Sequence, residues 1–154
     1  MRAVIQRVNK ASVTVEHREV AAIGRGLVIF LGIEKGDSLA EAVYIANKIA
    51  QLRIFADQQG KMNLDVQESQ SELLVVSQFT LCANLNDSGR RPGFDRAETP
   101  QKAEQLYQEF IRVLKSLRLE VKQGVFREYM TVRIENDGPV TFVLDKRGED
   151  KTQG

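Results

Sequence analysis

Two unbroken apolar runs stand out from an otherwise alternating chain, Leu27-Val28-Ile29-Phe30-Leu31 and Leu73-Leu74-Val75-Val76. Runs of this length predict strands in the middle of a sheet, covered on both faces. Elsewhere the pattern has period two. Residues 2–8 and 12–16 read as two strands joined through Asn9-Lys10-Ala11, and Glu19 to Ile23 as a third, closed by Gly24-Arg25-Gly26. Met130 to Glu135 alternates again, and Val140 to Leu144 answers it. Between them Asn136-Asp137-Gly138-Pro139 offers residues that tolerate a tight turn, so a hairpin is expected. Met62-Asn63-Leu64 and Leu119 to Lys122 are short strand candidates.

The period changes to that of a helix twice. Ser38 and Glu41 have capping-box spacing, and Leu39, Val43, Ala46, Ile49, Ala50 and Leu52 follow as an apolar stripe to about Leu52. Thr99 and Pro100 read as N-cap and first helical residue. Ala103, Leu106, Phe110, Val113, Leu114 and Leu117 form the stripe behind them. Strands gathered at both ends, with two substantial helices, predict an α/β chain of the α+β type. One domain is expected over 1–145, a mixed, mostly antiparallel, barrel-like sheet with both helices packed on it. The charged tail, 146–154, is expected to fray.

Composition narrows the chemistry. With 154 residues, 42% hydrophobic and 28% charged, the chain is long and apolar enough to bury a core without staples. A formal net charge of +1 excludes a strongly basic nucleic-acid coat but leaves room for a local basic patch. No apolar run approaches the ~20 residues that cross a bilayer, and the alternating N-terminus lacks the apolar centre of a signal peptide. A cytoplasmic protein without membrane contact is expected. Cys82 and His17 are the only cysteine and histidine, so neither an intrachain disulfide nor a His/Cys zinc cluster can form. A Ser-His-Asp or Cys-His engine is equally disfavoured, because His17 lies in the polar stretch Glu16 to Glu19 and reads as a turn residue. Gly24-Arg25-Gly26 precedes a strand instead of following one, so it fails as a dinucleotide motif. Neither a cofactor nor a metal is expected.

The second apolar run ends in polar side chains, Ser77, Gln78 and Thr80 around Phe79. An unpaired polar group in a buried strand costs about 1–3 kcal/mol, so these residues either cap the strand into a turn or form a site. The polar loop Ala83 to Asp95 follows, long enough to suggest function, and it contains Arg90 and Arg91.

Ser77-Gln78-Phe79-Thr80, Asn136-Asp137-Gly138-Pro139-Val140-Thr141 and the opening Met1 to Val8 together resemble the D-aminoacyl-tRNA deacylase family. Gly60-Lys61-Met62-Asn63-Leu64 and Arg91-Pro92-Gly93-Phe94 are further landmarks, colinear from Met1 to about Leu144. The resemblance implies hydrolysis of the ester joining a D-amino acid to the terminal adenosine of tRNA, with glycyl-tRNA mischarged on tRNA-Ala as a second substrate. It implies a homodimer in which a cis Gly138-Pro139 peptide enters the partner's pocket and rejects the L-side chain by steric clash. Catalysis would fall to Ser77, Gln78, Phe79 and Thr80, with the N–H groups of Phe79 and Thr80 as oxyanion donors, worth about 3–4 kcal/mol each. Thr80 is either nucleophile or orienting hydroxyl. Water attack assisted by the substrate's 2′-OH is preferred, because no base stands near Thr80 in the sequence.

Phe126 and Met130 would line the adenosine pocket by the same resemblance. Here the chain departs from the family: it reads Phe126-Arg127-Glu128-Tyr129-Met130 where many relatives have Phe-Gly-Ala-x-Met, and Gly93 stands where Ser is common. Arg7, Arg90 and Arg91, with Lys10 and Arg96 nearby, are candidate tRNA phosphate contacts. Two other readings stay open. One is a non-catalytic nucleic-acid-binding protein on the same fold, and the other a related deacylase that removes a mischarged L-amino acid.

Overall fold

The opening strand runs straight through the polar residues expected to interrupt it. In the computed structural model, which describes residues 1–148, β1 spans Arg2–Val15 without a break. Its first half pairs antiparallel with β3, Gly26–Gly32, from Arg2↔Gly32 to Val8↔Gly26. Its second half pairs with β2, Arg18–Ile23, from Ala11↔Ile23 to Val15↔Arg18. Asn9 and Lys10 are exposed where β1 changes partner, so their polarity marks a handover between ladders, not a connection. The strand stays whole because a second long strand, β8 at Thr131–Asp145, pairs along its other edge.

That pairing also replaces the expected hairpin. The two expected strands, Met130 to Glu135 and Val140 to Leu144, do not face each other; Thr131 to Glu135 and Thr141 to Leu144 both pair with β1 as parts of β8. The register jumps from Gln6↔Thr141 to Val8↔Asn136, so Asp137 to Val140 are looped out as a wide bulge. The turn chemistry was real, but a 14-residue partner satisfied the backbone of both halves and left only the turn residues unpaired.

The remaining elements complete a mixed sheet in the order β2-β1-β3-β6-β7, where β6 is Glu72–Ser77 and β7 is Glu120–Gln123. β3–β6 and β6–β7 are parallel, the other pairs antiparallel. Lys122 Nζ donates to Ala22 O at 2.9 Å, drawing the β7 edge toward β2 and nearly closing the sheet into a barrel. β4, Phe55–Ala56, and β5, Met62–Leu64, form a separate small ribbon.

Both central strands are apolar throughout because they feed two cores. Leu27, Ile29, Leu31, Leu73 and Val75 meet the helices α1, Leu39–Gln51, and α2, Pro100–Ser116. Val28, Leu74 and Val76 face the other way and are covered by Met130, Val132 and Ile134. α1 starts at the expected capping box: the Ser38 hydroxyl accepts from Ala40 N, and Ser38 N donates to Glu41 Oε2 at 2.7 Å. Its buried face differs from the expected stripe. Ala42, Ile45, Ala46 and Ile49 point inward while Leu39 is half exposed, because the capping box draws Glu41 itself into the interface. In α2 Leu106, Phe110 and Leu114 are buried as expected, joined by Tyr107 and Ile111. The Thr99 hydroxyl makes no capping bond; the Glu98 carboxylate accepts from Thr99 N instead.

Met1 lies against Asp37 and the residue that follows β8. The Met1 ammonium pairs with Asp37 Oδ1 and donates to Lys146 O, both at 2.7 Å, and Lys146 N returns a bond to Met1 O at 2.9 Å. Burial raises the Asp37 carboxyl above its ordinary value against the pull of that ammonium. Of the tail expected to fray, 146–154, residues 149–154 lie outside the described residues. Among the described residues no helix is long and apolar enough to cross a membrane.

Candidate active site

At the end of β6 the chain leaves the sheet. Gln78 N donates to Leu31 O at 2.8 Å, and Phe79–Cys82 then close a single 3₁₀ turn. Gly32 lets this turn sit directly on β3. A Cβ at Gly32 would lie 2.9 Å from Leu81 Cβ, 3.0 Å from Gln78 O and 3.2 Å from Cys82 Sγ. The far end of the turn is tied down by Arg2 Nη1, which donates to Leu81 O at 3.2 Å, and by the Cys82 thiol, which donates to Ile33 O at 3.4 Å.

The near end is left open. The first two N–H groups of a 3₁₀ turn have no partner inside it. Those of Phe79 and Thr80 find no acceptor elsewhere among the described residues, and both residues are exposed. The Gln78 amide donates from Nε2 to Thr80 Oγ1, holding the hydroxyl in place without offering it a base. The other nucleophilic candidates are out of reach. Cys82 is buried and its thiol is pushed up to about 11, first by burial and then by the Glu34 carboxylate. His17 sits exposed in a left-handed turn between β1 and β2.

Beside the turn is an open cavity of about 370 Å³. Ser77, Gln78 and Phe79 form one side, Phe126, Met130 and Val132 another, and Leu31, Ile33 and Val76 come from the sheet. The sequence-predicted turn and the adenosine-pocket residues are thus brought together. Phe126 is backed by Tyr107, whose ring lies 5.6 Å away and whose hydroxyl donates to Val75 O at 2.9 Å. Burial raises the Tyr107 pKa far above its ordinary value, so the hydroxyl remains a donor. Gly124 permits the approach of Met130, since a Cβ there would lie 2.7 Å from Met130 Sδ. Arg127 and Glu128, where the resemblance led to small residues being expected, are exposed and line the cavity, with Arg127 at φ 66°.

Other predicted residues lie outside this cavity. Arg90, Arg91 and Arg96 are exposed on the loop after the turn, which is anchored by the Asn84–Gly93 bridge and by the edge-on contact of Phe94 with Phe79 at 5.1 Å. Arg7 stands apart from them. Its guanidinium donates to Ile54 O at 2.7 Å and pairs with Asp137 at 2.9 Å, so it braces the β8 bulge. Asn136 Nδ2 spans the same bulge, donating to Arg7 O at 2.8 Å and Val140 O at 3.1 Å. Gly138 and Pro139 are exposed at its tip and do not line the cavity of their own chain; the peptide between them is cis. Gly138 has φ 121°, and a Cβ there would lie 2.7 Å from Val140 Cγ2.

Three contributors were missed in the sequence: Gly32, Tyr107 and Glu98. Gly32 closes an apolar run, where close backbone approach is a standing reason for glycine. Tyr107 falls at helical spacing between Ala103 and Phe110, where its polar tip hid its place in the stripe. Glu98 gave no signal beyond lying next to a cap. Among the described residues no three His, Cys, Asp or Glu side chains cluster as a metal site.

Known proteins share this sequence and fold over nearly the whole chain. The chain is 49% identical over 147 residues to the D-aminoacyl-tRNA deacylase of Thermodesulfovibrio yellowstonii, covering 96% of this chain and all of that one. A solved structure titled c-Myc DNA Unwinding Element Binding Protein superposes with a TM-score of 0.89 at 41% identity, over 96% of this chain and all of the other. A second, titled as a structural analysis of a probable eukaryotic D-amino acid tRNA deacylase, has a TM-score of 0.82 at 16% identity, over 94% of this chain and 98% of that one, and shares the fold. The family model described as D-Tyr-tRNA(Tyr) deacylase matches residues 4–145, and the chain belongs to that family.

Proposed function

We propose that this protein hydrolyses the ester of D-aminoacyl-tRNA, holding the 3′-terminal aminoacyl-adenosine in the cavity between Ser77–Thr80 and Phe126–Met130. The observation that carries the reading is the pair of unpartnered N–H groups on Phe79, which lines that cavity, and on Thr80, the next residue of the same turn. Two donors fixed by a turn that is itself clamped by Arg2, Gly32 and Cys82 can receive the charge that develops on the carbonyl oxygen without reorganising. An aminoacyl ester is already activated, so positioning and oxyanion stabilisation meet most of its demand. Water is the attacking group, assisted by the substrate's 2′-OH. Thr80 orients, because its hydroxyl touches Gln78 and no group able to take its proton.

The exposed Gly138-Pro139 bulge completes the reading. A second copy of the chain supplies it to the cavity as a wall that excludes L-side chains, which makes the protein a homodimer and leaves glycyl-tRNA on tRNA-Ala as an accepted substrate. Support comes from its rigidity: Arg7, Asp137 and Asn136 brace a segment that serves nothing in its own chain's cavity. Arg90 and Arg91 contact tRNA phosphates, and the protein acts where tRNA is used, in the cytoplasm.

Incubation of D-Tyr-, L-Tyr- and Gly-tRNA with the protein tests the proposal. Loss of the D-Tyr and Gly esters with survival of the L-Tyr ester is expected, and indiscriminate or absent hydrolysis refutes it. The solved relative titled as a DNA-unwinding-element binding protein favours a second reading, nucleic-acid binding without turnover. Retention of all three tRNAs without ester loss would establish that one.

A further inference from the structure

One ionised acid on the cavity wall has no part in the chemistry described above. Glu98 precedes α2 and lines the same cavity as Ser77, Phe126 and Met130, with its side chain only 9% exposed. Its backbone N–H donates to Ile33 O at 3.0 Å, fixing it against the floor. Oε1 accepts from Thr99 N at 2.8 Å, and Oε2 lies 3.1 Å from Lys102 Nζ, whose side chain is half exposed. A carboxylate offers about four acceptor positions, so both oxygens keep capacity for a ligand. Burial works to raise this carboxyl, but the Thr99 N–H and the Lys102 ammonium, with Lys35 further off, outweigh it and hold it below its ordinary value. Glu98 is therefore a fixed acceptor and a poor base.

Arg127 and Glu128 line the cavity with exposed side chains, but Leu31, Ile33, Ala103 and Val132 give it apolar walls. A free ammonium would lose its hydration against such walls, whereas a flat heteroaromatic ring buries its faces there and needs one polar contact to set its edge.

We propose that Glu98 accepts a hydrogen bond from the exocyclic amino group of an adenine ring in this cavity and so sets the base preference of the site. The inference rests on reading the cavity as the seat of the 3′-terminal adenosine. Adenine carries an amino donor where guanine and hypoxanthine carry a carbonyl oxygen, so the same carboxylate attracts one and repels the others.

The test is a nucleotide titration of the full chain by protein NMR, with adenosine, purine riboside and inosine 5′-monophosphates, on wild type, Glu98→Ala and Glu98→Gln. Hydrolysis of D-Tyr-tRNA is followed with the same preparations. Wild type should bind the adenosine nucleotide about tenfold more tightly than the purine nucleotide, the scale of a hydrogen bond to a charged group. Glu98→Ala should bind both alike, and Glu98→Gln, whose amide oxygen still accepts, should keep most of the preference. An unchanged ratio in Glu98→Ala overturns the inference, as does the absence of any nucleotide binding. If Glu98→Ala does not fold, wild type decides: inosine monophosphate bound as tightly as the adenosine nucleotide overturns it. A ratio lost in Glu98→Ala while wild type leaves D-Tyr-tRNA intact upholds the adenine contact and overturns the deacylase reading instead.

Discussion

Gly32→Ala separates the stability of the fold from the geometry of the reacting site. The added Cβ would meet Leu81 Cβ at 2.9 Å, Gln78 O at 3.0 Å and Cys82 Sγ at 3.2 Å, and all three belong to the segment that presents the Phe79 and Thr80 N–H groups. Ordinary contact starts near 3.4 Å, so the segment must withdraw from β3 by about half an ångström. Overpacking of this kind costs about 1–3 kcal/mol, or roughly 3–10 °C in Tm for a chain of this size. A misplacement of about 1 Å can cost 10²-fold in rate, so half of it should lower kcat about tenfold. KM should hold, because Phe126 and Met130 stand on the far side of the cavity. Steady-state hydrolysis of D-Tyr-tRNA, with thermal unfolding of the same sample, reads both quantities. Ile49→Val, on the buried face of α1 and outside both the turn and the cavity lining, is the control: a similar loss of about 0.5–1.5 kcal/mol with kcat intact. If Gly32→Ala lowers Tm but leaves kcat at the wild-type value, the turn is structural and the oxyanion assignment fails.

Tyr107→Phe should cost about 1 kcal/mol and no activity, because Val75 O keeps its bond from Gly124 N at 3.0 Å and the ring behind Phe126 remains; a loss in kcat/KM would show that the hydroxyl does more than brace β6. Charge reversal at Arg90 and Arg91 together should raise KM for tRNA and flatten its salt dependence, by about 0.7–0.9 in log–log slope for each phosphate contact removed; an unchanged slope excludes this loop from the tRNA interface. Cys82 should resist iodoacetamide at pH 8 in the folded protein, since burial and the Glu34 carboxylate hold its thiol up to about 11 and deprotonation is needed for attack. Alkylation at the rate of the unfolded chain, followed by mass spectrometry, would contradict the buried position.

The order and kind of the elements were legible because the two apolar runs, the capping box at Ser38 and the Pro100 helix start are local signals. The failures share one cause, a partner remote in sequence. Asn9-Lys10 and Asn136 to Pro139 both carry honest turn chemistry, yet each is flanked by a strand that the other can satisfy, and only their mutual pairing shows that neither chain segment reverses. The site divides in the same way. Ser77, Gln78, Phe126 and Met130 could be named from family resemblance, but no local pattern reveals that Gly32 is the surface on which the turn rests. Nor does Arg7, placed beside the basic loop residues by its charge, announce an ion pair with a residue so distant in the chain.

That ion pair bears on the chiral selection proposed above. Rejection by clash works only if the wall cannot retreat, because a loop that yields by an ångström turns a steric veto into a small strain energy. The bulge at Asp137 to Val140 meets this requirement within a single chain. The Arg7 guanidinium, 13% exposed, is anchored at Ile54 O and pulls Asp137 inward, while Asn136 ties the two feet of the bulge together through one amide nitrogen. Val140, buried beneath the tip, closes off collapse from inside, being itself the side chain a Gly138 Cβ would strike. So much bracing for an exposed tip has no use in its own chain's cavity, which that tip does not line. It has a use if the tip is the selective surface of another copy's cavity. On the proposed reading the stiffness of the bulge and the openness of the cavity are therefore one feature, divided between two chains.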